Sequence, residues 1–313
     1  MFGRSEGTMA DPTEVVLTTS FAAALGVAVV GAMRQGGSRK QETPAPLPAT
    51  DAESPFDPPH EITATPPPLP PMGGIPLWFY RPADLLGSGF VFLVFSMLAL
   101  GNVGAPQQTT TALSPGALVV SIAFQFAMAG IVLGTVAGRI HPVEWLGLRW
   151  KAWPWLLVIA PCSVLGMWAV FGGLHYSGYV EWMESLGAET TQDTVKLLQD
   201  SQDPLVLGLM AAAAVLAAPL CEEIVFRGYL YPVLKRFTGM WPAAIASSLV
   251  FACAHGNLTA ALPLFIFGGL LVLLYEKTGS LWTPIAAHFC FNGATVVIQF
   301  GSRILGIPIE GAS

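Results

Sequence analysis

The sequence predicts an all-α, polytopic membrane helix bundle of about eight transmembrane helices, the first of which is an N-terminal anchor. Hydrophobic residues make up 53% of the 313 residues, and charged residues make up only 11%. Soluble domains carry about 25% charged residues, so this composition favours an integral membrane protein. Apolar stretches close to the roughly 20 residues that a spanning helix needs recur along the chain.

Eight apolar segments are the predicted spans, and several have recognisable starts. They lie at 15–33, 85–103, 115–138, 153–174, 204–220, 241–254, 262–275 and 281–300. Ser114, Asp203 and Thr283 each precede a proline, a pattern that predicts an N-cap followed by proline at the first helical position. The segment 241–254 is short for a full crossing, and we expect it to be tilted or partly re-entrant.

Three regions are expected along the chain: an N-terminal transmembrane anchor at 1–40, a proline-rich linker at 41–80 and a membrane-embedded bundle at 81–303. Residues 44–76 hold 12 of the 26 prolines, which favours extended polyproline geometry and cannot build a packed core. We expect a semi-rigid spacer here, with a docking site for a proline-binding partner as the alternative.

The basic residues predict which way the helices run. Arg34, Arg39 and Lys40 follow the first segment, whereas a cleaved secretory signal, the alternative, carries its positive charge in front. With the N-terminus outside, 11 of the 14 Lys and Arg residues fall on the cytoplasmic side, as the positive-inside rule requires. The acidic connection 176–203 then lies outside, and a short interfacial helix is expected around 179–186.

Charge and cysteine usage exclude other classes of protein. The net charge of −6 and the absence of a basic run disfavour a nucleic-acid partner, so the expected environment is the lipid bilayer. The four cysteines form no CxxC pair, and they lie in apolar stretches. Neither a disulfide scaffold nor a zinc ribbon is therefore expected. No feature of the sequence predicts an oligomeric state.

Ionisable and polar residues inside apolar sequence concentrate in the C-terminal third of the chain. Charged groups at membrane depth are expensive, so such residues are candidates for a functional site. The set comprises Glu222, Glu223, Arg227, His255, His288 and Asn292.

Helix geometry gives the two adjacent carboxylates different roles. Residues four apart share a helix face, so Glu223 and Arg227 can form an ion pair. Glu222 lies about 100° around the axis from Glu223 and is not required by that pair. His288 and Asn292 are also four apart and share a face of a later helix.

A carboxylate with histidines supports two kinds of chemistry. His255 comes from a separate helix; if the three helices bundle, Glu222, His288 and Asn292 can converge with it on one polar cavity. A carboxylate and a histidine can activate water, while a second histidine and an amide stabilise an oxyanion, as amide-bond hydrolysis requires. Alternatively, one glutamate and two histidines can ligate a catalytic zinc ion.

Three motifs in order resemble the CPBP intramembrane protease family, also called the CAAX protease and bacteriocin-processing, or Abi, family, which includes type II prenyl proteases. The family pattern EExxxR, FxxxH and HxxxN stands here as Glu222-Glu223-xxx-Arg227, Phe251-xxx-His255 and His288-xxx-Asn292. The resemblance covers about residues 204–300, and residues 1–80 show none.

The resemblance implies an intramembrane endopeptidase that hydrolyses peptide bonds of membrane-associated proteins, among them CAAX-type prenylated proteins, in a cavity open toward the cytoplasm. A protein or peptide substrate is then the expected partner. The implied roles are water activation by Glu222 and His255, oxyanion stabilisation by His288 and Asn292, and support from Glu223, Arg227 and Phe251.

Members of the family that the chain resembles are commonly labelled metalloproteases, yet a glutamate-dependent mechanism without a metal has been argued for them, and we favour the latter. The metal alternative would use Glu222, His255 and His288 as ligands. The HxxxN motif offers one good zinc ligand, and asparagine is a poor one. No cofactor is otherwise expected.

Two other functions remain as alternatives at this level. A non-catalytic adaptor or immunity protein of the same family would keep the bundle and cleave nothing. A proton-coupled transporter would use Glu222, His255 and His288 as a proton relay, but no internal repeat of the kind such transporters show is apparent in the sequence.

Overall fold

A computed structural model describes residues 12–39, 74–76, 78, 80–101, 114–189 and 201–305. Within these ranges the chain is helical and contains no strand, which confirms the all-α prediction. The helices are α1 (Pro12–Arg39), α2 (Pro82–Gly101), α3 (Pro115–Ala137), α4 (Pro142–Trp145), α5 (Leu156–Tyr176), α6 (Tyr179–Ser185), α7 (Pro204–Thr238), α8 (Met240–Cys253), α9 (Leu258–Thr278) and α10 (Trp282–Leu305).

Six of the described helices are long and apolar enough to cross a membrane: α1, α2, α3, α5, α7 and α9. The predicted count of eight is not confirmed. Helix α8 has only 14 residues, as its short apolar segment suggested. Helix α10 has 24 residues but includes His288, Asn292 and Gln299 among its side chains. Most of the proline-rich linker predicted at 41–80 lies outside the described residues.

Two of the three predicted helix starts are confirmed. The Ser114 side chain accepts a hydrogen bond from the Ala117 N–H at 3.2 Å, and the Asp203 carboxylate accepts one from the Leu205 N–H at 2.8 Å. The third prediction is wrong, because α10 begins at Trp282 and Thr283 lies inside its first turn. The preceding Leu281 N–H donates to the Leu146 carbonyl at 2.9 Å, so a contact with another loop fixes where this helix begins.

Helix α1 is packed into the bundle rather than standing apart from it. Leu17, Phe21 and Ala24 are buried, and the Phe21 ring meets Phe92 of α2 edge-on at 5.5 Å between centroids. The C-terminal half of α1 approaches the α7–α8 junction at Gly31, where no side chain separates the two backbones. Apolar packing along one face therefore holds α1 against α2, α7 and α8.

The close approach at Gly31 predicts a stability effect. In Gly31→Leu, the new Cβ would lie 2.8 Å from the Thr238 carbonyl oxygen and 2.8 Å from the Pro242 Cβ. Such overpacking costs about 1–3 kcal/mol, and we expect a lower unfolding temperature of the detergent-solubilised protein by tryptophan fluorescence. Gly26→Leu is the matched control on the same helix, because nothing lies within 4 Å of a Cβ at that position. Equal unfolding temperatures for the two variants would contradict this packing.

The two ends of the bundle differ in charge. At the end that we call the basic face, Lys235 pairs with Glu276 at 2.6 Å and Arg139 pairs with Asp84. At the opposite end, the acidic face, α6 carries Glu181 and Glu184. The α6 helix was predicted there as a short interfacial helix, and its presence is confirmed. Helix α9, with 21 residues, runs from the acidic face to the basic face over about 31 Å.

Candidate functional site

The carboxylates Glu222 and Glu223 lie in the middle of α7, between two π-helical stretches. These stretches are Ala213–Ala217 and Ile224–Leu230, and the α-helical residues Ala218–Glu223 lie between them. The prediction that this span ends at residue 220 is wrong, because the helix continues to Thr238. Single π turns inside an α-helix occur often at functional sites.

Glu223 is enclosed in a network of buried charges. Its Oε1 accepts hydrogen bonds from the Arg227 guanidinium and from Nδ1 of His288, both at 2.9 Å. The exposed fractions of the three side chains are 0%, 1% and 3%. The Arg227 guanidinium also donates to the Gly268 carbonyl of α9 at 3.2 Å. The predicted ion pair between Glu223 and Arg227 is thus confirmed, and it joins α7, α9 and α10.

Phe251 lies at the centre of the cluster. Its ring contacts the Arg227 guanidinium at 4.2 Å, His255 at 4.9 Å and His288 at 5.8 Å between centroids. Its backbone carbonyl accepts a hydrogen bond from Nδ1 of His255 at 2.8 Å. The side chain is fully buried. Phe251 therefore holds both histidines in place while a cation–π contact stabilises the arginine.

Glu222 and His255 form a second, more open pair. Glu222 Oε2 and His255 Nε2 are 4.0 Å apart, and the two side chains are 21% and 25% exposed. This distance is too long for a direct hydrogen bond. Glu222 Oε2 has no hydrogen-bond partner among the described residues. Because Nδ1–H of His255 donates to Phe251, the neutral ring presents a lone pair at Nε2 toward Glu222.

Asn292 is bonded to the backbone of α7. Its Nδ2 donates to the Ala214 carbonyl at 2.8 Å. In the π-helical stretch the Ala218 N–H donates five residues back, to Ala213. In that register the donor for Ala214 would be residue 219, which is proline and has no N–H. The Asn292 amide therefore replaces a backbone donor, and one of its two N–H groups is used in this way.

Because the Asn292 amide takes the place of a missing backbone N–H, we expect the stability effects of changes at Asn292 and Pro219 to be coupled. Asn292→Ala leaves the Ala214 carbonyl without its donor, at a cost of about 1–3 kcal/mol. In a Pro219→Ala background, the new N–H can reach that carbonyl, so the same change should cost clearly less. Unfolding temperatures of the four proteins test this prediction by a double-mutant cycle. An equal cost of Asn292→Ala in both backgrounds would contradict it.

The predicted metal set is not brought together. Among the described residues, no group of three His, Cys, Asp or Glu side chains is placed to hold a metal ion. Glu222 and His255 approach each other, whereas Nδ1 of His288 is bonded to Glu223. Glu222, His255 and His288 therefore do not fit the zinc alternative, and no chemical step is assigned to a metal. The four cysteines, Cys162, Cys221, Cys253 and Cys290, are free thiols.

Sequence reasoning missed two residues beside the site. Pro219 shapes the helix just before Glu222, and its signal was a proline inside an apolar span. Gln125 lies in α3, the helix that packs against Ala218–Glu223. Its Oε1 is buried without a hydrogen-bond partner among the described residues. The sequence feature that could have identified Gln125 is a single amide side chain in an otherwise apolar helix.

The site and the basic face are separated by packed protein. Residues 225–235 are all buried between them. The turn at 254–257, which carries His255, is partly exposed and lies at the acidic face, where Asn257 Nδ2 donates to the Glu189 carbonyl at 3.3 Å. A cytoplasmic basic face and a site that opens toward the cytoplasm were both expected. Both stay predictions.

Comparison with known proteins identifies this region. Residues 204–294 match the family described as type II CAAX prenyl endopeptidase Rce1-like. This region makes up less than a third of the chain, and it is similar to the Rce1-like family. All the motif residues described above lie inside the Rce1-like region, from Glu222 to Asn292. Together with the apolar helices, this match makes the chain a multi-pass integral membrane protein.

Three curated proteins are similar to parts of the chain. The chain is 30% identical to the putative membrane peptidase YdiL of Bacillus subtilis over 42% of its own length and 50% of that protein. It is 37% identical to the membrane-embedded CAAX protease MroQ of Staphylococcus aureus, over 26% of its length and 35% of MroQ. It is 34% identical to human CAAX prenyl protease 2, over 23% of its length and 29% of that enzyme.

These matches cover half or less of the length of each relative. No solved structure matches the chain significantly. The matches do not favour the transporter alternative.

Proposed function

We propose that the chain is a membrane-embedded endopeptidase in which Glu222 and His255 activate a water molecule to hydrolyse a peptide bond. The observation that carries this proposal is the open pair, whose Glu222 Oε2 and His255 Nε2 are 4.0 Å apart. Both atoms are hydrogen-bond acceptors, and neither is used by a described residue. The adjacent Glu223, in contrast, is fully buried, and its Oε1 is bonded to both Arg227 and His288.

One water molecule satisfies both acceptors. It can donate one O–H to Glu222 and the other to His255, which directs its lone pairs away from both residues and toward a substrate carbonyl. As the water oxygen bonds to the carbonyl carbon, Glu222 takes the proton. The tetrahedral intermediate then collapses when the C–N bond breaks, and Glu222 returns that proton to the leaving nitrogen. His255 stays neutral and orients the water.

His288 and Asn292 are the candidates for stabilising the oxyanion, the negative charge that develops on the substrate carbonyl oxygen. His288 donates Nδ1–H to Glu223, so only its doubly protonated ring presents a donor at Nε2. The bond to Glu223 fixes the orientation of the ring, which makes His288 the stronger candidate for this role. Asn292 uses one N–H on the Ala214 carbonyl and can offer the other. We assign Asn292 first to holding α7 and only second to the oxyanion.

Membrane-associated proteins, including prenylated CAAX proteins, are the proposed substrates. The support is that two relatives carry CAAX protease in their names, and that the motif residues lie in the matching segment. The test is digestion of a prenylated CAAX peptide and a set of membrane-protein peptides in proteoliposomes made in H₂¹⁸O. Mass spectrometry should find new carboxyl termini that contain one ¹⁸O atom. Absence of cleavage of every peptide would support the non-catalytic adaptor instead.

The orientation of the chain is part of the proposal. The positive-inside rule places the basic face in the cytoplasm and the acidic face outside. Labelling of single cysteines introduced at the exposed Lys151 and Glu184 with an impermeant reagent, in intact cells, tests this orientation. If only the cysteine at position 151 is labelled, the membrane orientation is the reverse of the proposed one.

A further inference from the structure

The turn that carries His255 joins α8 to α9 and comprises residues 254–257. It is not helical, and Gly256 within it has a φ of +66°, a conformation that favours glycine. Nδ1–H of His255 ties the ring back to the Phe251 carbonyl of α8. All four residues of the turn are partly exposed. Contacts made by the residues that follow His255 therefore help to fix where its ring lies.

The residues just after Gly256 are held by the segment 178–189, which contains α6. The Asn257 side chain donates from Nδ2 to the Glu189 carbonyl at 3.3 Å. Leu258 is buried in an apolar cluster with Met183 and Ala188. One polar and one apolar contact thus join this segment to the two residues at the start of α9.

The next residue, Thr259, is bonded to the same segment through its backbone. In an α-helix its carbonyl would accept a hydrogen bond from the N–H of residue 263. Residue 263 is proline, which has no N–H. The Tyr179 hydroxyl donates to this carbonyl at 3.1 Å instead. Tyr179 therefore bonds to a carbonyl that α9 itself leaves without a helical donor.

Glycines at both ends of α6 allow the segment to reach α9. Gly178 precedes the helix with a φ of +77°, and Gly187 follows it with a φ of +79°. Both values lie in the left-handed region that favours glycine. The chain turns sharply at these two positions, and α6 packs against both α5 and α9. The segment is thereby placed to hold the start of α9.

We propose that the segment 178–189, which we call the clamp, sets the distance between His255 and Glu222. Tyr179 and Asn257 are then positioning residues for the hydrolysis, and this inference rests on the proposed function. Glu222 Oε2 and His255 Nε2 are 4.0 Å apart. One water molecule can bridge such a gap, since each hydrogen bond to it is about 2.8 Å long. Displacement of the turn by about 1 Å would break that bridge, and a misplacement of this size can cost about 10²-fold in rate.

Steady-state kinetics in proteoliposomes test the clamp with two conservative variants. Tyr179→Phe removes only the hydroxyl that donates to Thr259. Asn257→Asp removes the Nδ2 donor, while its carboxylate can still accept from the Ala260 N–H and cap α9. Each variant should lower kcat about tenfold, a loss within the range for a misplaced catalytic group. KM should stay unchanged, because the clamp acts through His255 and has no assigned contact with substrate.

Two controls make the same chemical changes away from the clamp contacts. Tyr176→Phe removes a hydroxyl from a side chain that is 91% exposed. Gln202→Glu converts an exposed amide to a carboxylate near the start of α7. Both controls should show the kcat and KM of the wild type.

Nitrogen-15 NMR of histidine-labelled protein in detergent provides a readout that does not depend on cleavage. The chain has five histidines, and the signals of His255 are identified by their loss in His255→Gln. These signals should shift in Tyr179→Phe and in Asn257→Asp, because the ring changes its surroundings. The signals of His288, which is bonded to Glu223, should stay in place.

The two readouts distinguish failure of the clamp from failure of the proposed function. Unshifted His255 signals in the double variant Tyr179→Phe with Asn257→Asp would overturn the clamp, whatever its kcat. An unchanged kcat in that variant, with an active wild type, would overturn it too. If the wild type cleaves no peptide but the His255 signals shift as expected, the clamp holds the turn and the proposed hydrolysis is wrong.

Discussion

Glu222→Gln is expected to lower the rate of peptide hydrolysis by about 10²–10⁴-fold, the usual contribution of a general base. The amide keeps the size and shape of the side chain but cannot take a proton from water. Stability should change little, because Glu222 is partly exposed and lies outside the Glu223–Arg227 ion pair. The measurement is the cleavage rate in proteoliposomes, together with the unfolding temperature of the same preparation.

The informative control removes a carboxylate elsewhere. Glu184→Gln makes the same chemical change on the exposed surface of α6 and should leave both rate and stability unaltered. If Glu222→Gln cleaves as fast as the wild type, Glu222 is not the general base. If Glu222→Gln is inactive and also unfolds at a lower temperature, the loss of activity reflects a damaged fold rather than the missing general base.

Glu223→Ala should have the largest effect on stability. It leaves the Arg227 guanidinium, which is only 1% exposed, without its carboxylate and also removes the acceptor for His288. Breaking a buried ion pair by removing one partner costs about 3–5 kcal/mol. We therefore expect a marked fall in unfolding temperature, followed through the fluorescence of the nine tryptophans.

A paired substitution separates charge from packing. In Glu223→Leu with Arg227→Leu, no buried charge is left unpaired, so this double variant should be more stable than either single leucine variant. Glu223→Gln should fall between the wild type and Glu223→Ala, because its amide oxygen can still accept a hydrogen bond. If Glu223→Ala unfolds at the same temperature as the wild type, the ion pair contributes no net stability.

Composition and local chemistry were sufficient to predict most of the fold. Long apolar stretches between capped starts predicted the helices, and Ser114 and Asp203 are the caps that they were expected to be. The apolar segment predicted at 204–220 covers only the first half of α7, because the charged residues begin at Glu222. Here Glu223 and Arg227 partner each other within the helix, so the span continues past them to Thr238.

Local spacing also predicted part of the site. Residues four apart on one helix must share a face, and the Glu223–Arg227 pair follows from this rule. The rotation of α10 against α7 decides which carboxylate His288 contacts. The spacing of residues within a single helix does not predict that rotation. The partner of Asn292 depends on the π-helical register before Pro219. That register is a property of the packed helix rather than of a motif.

The attachment of residues 74–76 at the basic face has a consequence for how the chain is assembled. The Ile75 N–H donates to Glu276, and its carbonyl accepts from Lys235, both at 3.3 Å. The C-terminal half of α1 reaches the same face, at Thr238. The described residues on either side of 40–73 thus lie at the same end of the bundle, and α1 packs against α2, α7 and α8. Two separately expressed fragments, divided within 40–73, should therefore reassociate into one complex, with α1 acting as a detachable subunit.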